Sequence, residues 1–284
     1  MTKFFSYLFF LKFILNHPLN KGNTIRTLLK IFWWKINQIF LKSPCVVELV
    51  PGTKCICYPN DSLYSTLVVY LRFPEYGEMQ FLLSILKRGD YFIDVGANIG
   101  VYSFLASSKI TTGKIFAFEP SPKILPKLYE NIALNQKKDR IEVIRKVVSD
   151  RSQLVNFDTS EYPDYNHISP NSGNKNTLRL DSTTLDKFIK DQNIKKIKMI
   201  KIDVEGAEML VLKGLEESLQ GKKVDILIVE VNEEAYKSFG FSTKDTVSYL
   251  ENYGFKNYMF DKKYNLINLV MEKNQGWNII AIRK

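Results

Sequence analysis

Four apolar runs in this 284-residue chain close on an acid: Asp94 within 91–95, Glu119 after 115–118, Asp203 after 197–202 and Glu230 within 224–231. A carboxylate at the tip of a buried strand is pure acceptor, so it suits a ligand's hydroxyl or ammonium group. Asp94 leads at once into the small-residue turn Gly96-Ala97-Asn98-Ile99-Gly100. Gly96 and Gly100 let a ligand lie against bare backbone, and the N-terminus of the helix that follows offers free N–H donors. Glu119, followed by Pro120, stands at the tip of the next strand, where it can accept from both hydroxyls of a ribose. Together these residues read as a nucleoside site.

The spacing narrows the nucleoside. A dinucleotide fingerprint needs glycine at the first, third and sixth turn positions, which here are Gly96, Asn98 and Val101. A phosphate-binding loop needs Gly-Lys-Ser/Thr, and Val101-Tyr102-Ser103 does not supply it. Asp94 would repel a pyrophosphate and attract a cationic amino group. S-adenosylmethionine has that ammonium, a ribose diol and no phosphate, and is the expected cofactor. An NAD-linked oxidoreductase is disfavoured by the same glycine spacing. The bland reading, glycines that merely turn a corner, does not account for two strand-tip acids.

Strands and helices must alternate to place these acids on one rim. Strand 91–95 precedes a helix over 99–107, strand 115–118 a helix over 122–135, and a third strand covers 141–148. A polar, turn-rich stretch over 161–176 reads as a surface loop over the site, and it carries His167, one of two histidines. A helix over 182–191, strand 197–202, a helix opening at Asp203 and running to about 219, and strand 224–231 follow. A helix over 243–253 and strands 255–260 and 277–282 complete the pattern. Such alternation argues for an α/β fold, doubly wound, with a mostly parallel sheet. Ahead of it, 45–50 and 54–58 flank Pro51-Gly52, a hairpin signal, and the chain divides into a helical extension (1–45), a hairpin with a lead-in helix (46–88) and a catalytic domain (89–284).

Composition, 45% hydrophobic and 25% charged, is that of a globular protein able to bury a core. Cys45, Cys55 and Cys57 form no metal-ligand string, no other metal site is expected, and a reducing cytoplasm follows. The net charge of +10 is uneven, because residues 1–60 hold eight Lys or Arg against one acid. The opening apolar run is broken by Lys12, short of the ~20 residues that span a bilayer, and no cleavage site follows it. A helix capped by Asn23 or Thr24 and running to about 41 would carry Ile25, Leu28, Leu29, Phe32, Ile36, Ile39 and Phe40 on one face, with Arg26, Lys30 and Lys35 beyond it. That face either packs on protein, including a second subunit in a homo-oligomer, or lies on the inner face of an anionic membrane. Nucleic acid is disfavoured, because the basic residues leave no separate charged surface.

Four strings, 92–100, Phe118-Glu119-Pro120, Leu180-Asp181-Ser182 and Lys201-Ile202-Asp203-Val204-Glu205-Gly206-Ala207-Glu208, resemble the FkbM-type methyltransferases over about residues 75–284. The resemblance implies the Rossmann-like, seven-stranded class I methyltransferase sheet and methyl transfer to a hydroxyl, commonly of a sugar or polyketide-type product. By position it implies that Asp94, Gly96, Asn98 and Gly100 hold the methionine end, Glu119 with Pro120 the ribose, and Lys146 and Val147 the adenine border. Asp203 would face both cofactor and acceptor, with Glu205 beside it. A sugar hydroxyl is barely acidic, so a base is expected among Asp203, Glu205 and His167. The acceptor expected is a saccharide or glycolipid. The rival readings are an RNA or protein methyltransferase on the same fold, and a non-catalytic membrane-associated scaffold.

Overall fold

A computed structural model describes residues 2–60, 62–159, 167–168, 177–269 and 278–284, and the chain forms two compact units, 1–76 and 77–284. In the first, helices α1 (Thr2–Asn16) and α2 (Thr24–Ile36) precede a π turn (Asn37–Leu41), a hairpin of β1 (Cys45–Val50) and β2 (Thr53–Cys57), and helix α3 (Leu63–Leu71). The turn between α1 and α2 is pinned from within: His17 Nε2 donates to Phe73 O at 2.9 Å, and Asn20 Nδ2 donates to Ile14 O and Tyr70 O. The expected helix over 24–41 forms, with its last turn widened. The side it buries is not its apolar face. Thr27, Ile31 and Trp34 turn inward, Trp34 Nε1 donates to Thr66 Oγ1 on α3, and Lys30 Nζ donates to Tyr70 O.

The second unit opens with α4 (Tyr76–Ile85), then β3 (Tyr91–Val95), α5 (Val101–Lys109), β4 (Lys114–Phe118), α6 (Leu125–Leu134) and β5 (Ile141–Ile144). Next come four short strands, β6 (Val147–Val148), β7 (Leu154–Asp158), β8 (His167–Ile168) and β9 (Thr177–Thr183), followed by α7 (Leu185–Asp191). The sheet resumes with β10 (Ile197–Ile202), α8 (Glu208–Lys213), α9 (Glu216–Gln220), β11 (Val224–Glu230), α10 (Glu233–Lys237) and α11 (Thr243–Asn252). Strands β12 (Phe255–Phe260), β13 (Leu266–Asn268) and β14 (Asn278–Arg283) end the chain.

The main sheet has the order β13-β12-β14-β11-β10-β3-β4-β5, with β5, β4, β3, β10 and β11 parallel and β14 antiparallel to both its neighbours. It carries eight strands where seven are expected, the addition being the short edge strand β13. From β3 the chain winds outward through β4 and β5, then returns to lay β10 on the other side of β3. That reversal opens a crevice above the carboxyl ends of β3 and β10, where ligands bind in open α/β sheets. Residues 141–148 divide, because β6 leaves for a second sheet ordered β6-β9-β7-β8. Residues 182–183 belong to β9 rather than to the helix expected there. Thr184 caps α7 by accepting from Lys187 N at 3.0 Å, which fixes the later start. Within the expected loop 161–176, only His167 and Ile168 lie among the described residues.

Candidate active site

The turn after β3 is built so that backbone approaches backbone. Gly96 has φ +81, and a Cβ there would lie 1.8 Å from Asp203 O, so β3 and the segment after β10 touch with no room for a side chain. Gly96 N and Ala97 N both donate to Phe118 O, and Asp203 N donates to Val95 O at 3.0 Å. The tips of β3, β4 and β10 are thereby laced together. Asn98 sits at φ 49, in the left-handed region that asparagine tolerates.

Glu119 closes β4 with its carboxylate under this turn, 6% exposed. Oε2 accepts from Asn98 N at 2.9 Å and Oε1 from Ser121 N at 2.8 Å; Pro120, which has no N–H, makes the bend between them. Each oxygen keeps acceptor capacity for a ligand hydroxyl. Burial pushes its carboxyl up to about 7 against the pull of those two N–H groups. Asp94, 2% exposed, accepts from Ser103 Oγ at 2.6 Å, and burial raises it to about 6 despite that bond and the Lys201 ammonium.

Beside Asp94 in the sheet, Lys201 on β10 is 1% exposed. Its Nζ donates to Asp203 Oδ2 and Asn278 Oδ1, both at 3.1 Å, and lies 5.4 Å from the centre of the Tyr102 ring. Carboxylate oxygens of Asp203, Glu205 and Glu230 lie within 4.8 Å of one another. Burial tends to raise Asp203, but Lys201 and a hydrogen bond with Glu230 overrule it and hold this carboxylate below its ordinary range. Glu230 goes the other way, raised by burial and by the charge of Asp203. Neighbouring acids driven apart in this manner separate a proton acceptor from a proton holder. Glu208, also buried, accepts from Val204 N and Gly206 N through Oε1 and so shapes the loop that presents Glu205.

Asp94, Gly96, Asn98, Glu119, Pro120, Asp203 and Glu205 thus lie at or just past the tips of β3, β4 and β10, while Gly100 opens α5, where a Cβ would meet the Phe104 and Leu128 side chains. Lys146 is exposed just past β5, whose Ile144 O accepts from Glu119 N. Val147 is buried on β6 among Val155, Phe157, Ile168 and Ala207. His167 lies on β8, opposite Asp158 of β7, in the second sheet. Lys201, Ser103, Asn278 and the pairing of Glu230 with Asp203 escaped the sequence reading. A lysine inside the apolar run 197–202 was the available signal. The chemistry of the set suits an aminoacyl nucleoside: acceptors for an ammonium and a diol, and a turn that admits no side chain.

A family model described as a methyltransferase FkbM domain matches residues 94–256. A hexuronic acid methyltransferase, AglP, of Haloferax volcanii is 29% identical over 162 residues, 56% of this chain and 62% of that protein. Methyltransferase sdnD of Sordaria araneosa is 28% identical over 164 residues, 46% of this chain and 62% of that protein. The chain therefore spans 62% of the length of both relatives. Among solved structures, a precorrin-6y C5,15-methyltransferase from Geobacter metallireducens superposes with a TM-score of 0.46 at 12% identity, covering 82% of this chain and 99% of that one.

Proposed function

The chain belongs to the FkbM methyltransferase family, whose cofactor is S-adenosylmethionine, and from that membership we propose that it methylates a hydroxyl of a saccharide acceptor. The observation that carries the reading is the acid cluster at the strand tips: Asp203 meets Lys201 Nζ at 3.1 Å and is held below its ordinary range, and the carboxylates of Glu205 and Glu230 lie within 4.8 Å, with Glu230 shifted upward by burial and by Asp203. A sugar hydroxyl loses its proton only as the new C–O bond forms, so a positioned carboxylate is the group it lacks. Such a base contributes ~10²–10⁴ in rate. The relative named for hexuronic acid supports a sugar as the acceptor class.

When bound, S-adenosylmethionine supplies a methyl group already activated on a sulfonium. Asp94 and the Gly96–Gly100 turn hold its methionine end, Glu119 accepts from the ribose hydroxyls, and Lys146 borders the base. Asp203, with Glu205 beside it, receives the acceptor proton, and Glu230 steadies the charge. Holding the acceptor oxygen in line at ~3 Å supplies much of the remaining rate.

Calorimetric titration of the full chain with S-adenosylmethionine and S-adenosylhomocysteine tests the cofactor half. Micromolar binding is expected, weakened about tenfold or more by Asp94→Ala and by Glu119→Ala, as the loss of a hydrogen bond to a charged group implies. Parent-like binding by both variants would refute the site. For the acceptor, labelled methyl donor is incubated with oligosaccharides containing hexuronic acids. O-methyl sugar is the expected product, and label passing instead into RNA or protein would overturn the saccharide.

A further inference from the structure

Helix α2 presents its apolar stripe to solvent. Ile25, Leu29 and Phe32 are 77%, 62% and 64% exposed, and Leu28 and Trp33 are exposed with them. At 100° per residue this stripe lies about half a turn away from Thr27, Ile31 and Trp34, the side that packs on α3. Arg26 and Lys35, both exposed, flank the stripe on its two sides, and Phe40 extends it into the π turn at 75% exposure. The pattern is not general to the molecule. Of 18 exposed large hydrophobics among the described residues, 13 fall between Leu8 and Leu63, where a soluble surface would scatter them.

Charge selects what covers this face. Residues 1–76 hold nine Lys or Arg against three acids, and residues 77–284 hold 31 against 27. Both parts are cationic, so neither a second copy nor the rest of the chain offers the complementary sign. No helix among the described residues is long and apolar enough to cross a membrane, so α2 would lie on a surface and not span it. We propose that the first unit docks on an anionic phospholipid surface, with α2 in the headgroup plane, Ile25, Leu29 and Phe32 turned to the acyl chains, and Arg26 and Lys35 on lipid phosphates. A basic helix with an aromatic-aliphatic face binds in this way. The docking itself does not depend on methyl transfer.

Vesicle flotation of the full chain, with no cofactor or acceptor present, tests the proposal separately from catalysis. Vesicles of equal parts phosphatidylcholine and phosphatidylglycerol should carry the protein up, and phosphatidylcholine alone should bind it about tenfold less well or worse. Added salt should weaken binding. Phe32→Glu with Phe40→Glu, and separately Arg26→Glu with Lys35→Glu, should each reduce binding about tenfold or more at an unchanged melting temperature, since the four side chains lie on the surface. Equal binding to both vesicle types would overturn the proposal, as would parent-like binding by both variants. A stable dimer in light scattering that the phenylalanine variant dissociates, with no flotation, would make the face a subunit interface instead.

Discussion

A lysine in the middle of an apolar strand keeps its ammonium out of water only if partners meet it, and Lys201 has Asp203, Asn278 and the Tyr102 ring. Replacing it by Met would leave Asp203 and Glu230 facing each other without a counter-charge. Lys201 is buried but Asp203 is 31% exposed, so water can partly replace the lost cation; the change should cost about 1–3 kcal/mol, and Lys201→Met should melt below the parent. The rising limb of its pH–rate profile should also move to higher pH, since Asp203 loses the cation that holds its carboxyl down. An unmoved limb would show that Asp203 is not the group titrating. Gly96 gives a sharper steric test. Gly96→Ala puts a Cβ on Asp203 O and should abolish cofactor binding. Gly52→Ala, at φ +75 with nothing within 4 Å, should cost only about 1 kcal/mol of backbone strain and leave binding intact. Strand-tip acids were legible in the sequence because an apolar run stopping on a carboxylate is a local pattern. The partners Ser103, nine residues from Asp94, and Asn278, 77 residues from Lys201, follow no period, so only the fold brings them in.

At the scale of elements, alternation of strand and helix sufficed to read the parallel half of the sheet, because each strand there is a mostly apolar run between turn signals. Boundaries were missed where a side chain decides them. Thr184 delays α7 by capping it, and Gly214 separates α8 from α9, since a Cβ there would lie 2.1 Å from Ser149 O. The stripe of α2 was legible as apolar, but whether it meets protein or membrane stayed open, because periodicity says which residues share a face and not where that face points. The last strand is anchored by one residue. Arg283 Nε donates to Val224 O, Nη1 to Tyr253 O and Nη2 to Leu219 O, and its guanidinium lies 4.2 Å from the centre of the Phe255 ring. A planar fork makes this set of contacts and a single ammonium cannot. Arg283→Lys should therefore lower stability nearly as much as Arg283→Ala, by about 2–3 kcal/mol. Val224 begins β11, at the end of the sheet away from the acids, so the affinity for S-adenosylhomocysteine should be retained. A lysine variant as stable as the parent would count against the fork.

Taken whole, the molecule carries buried ionisable groups of opposite pH sense in its two units. In the second, burial raises Asp94 to about 6 and Glu119 and Glu208 to about 7. Each raised acid binds its proton more tightly folded than unfolded. Stability from these groups is therefore full below their ordinary range and falls as pH climbs through 6 and 7, by ~1.4 kcal/mol per unit of displacement. The lowered acids, Asp203, Asp150, Asp225 and Asp261, act only below their ordinary 3.8 and leave this window alone. In the first unit, burial lowers His17 from 6.5 to about 4. Its Nε2–H donates to Phe73 O and its Nδ1 accepts from Leu19 N, so an added proton has nowhere to go. Folding there weakens as pH falls from 6.5 towards 4. Between about pH 5 and 6.5 acidification should thus stabilise the second unit and destabilise the first. Calorimetric scans across that range should show Glu119→Gln flattening the acid-side gain and His17→Gln flattening the acid-side loss. Cofactor binding prefers the ionised carboxylates, so S-adenosylhomocysteine should raise the melting temperature more at about pH 8 than at about pH 5.5. A thermal shift independent of pH would mean that neither Asp94 nor Glu119 meets the ligand as a carboxylate.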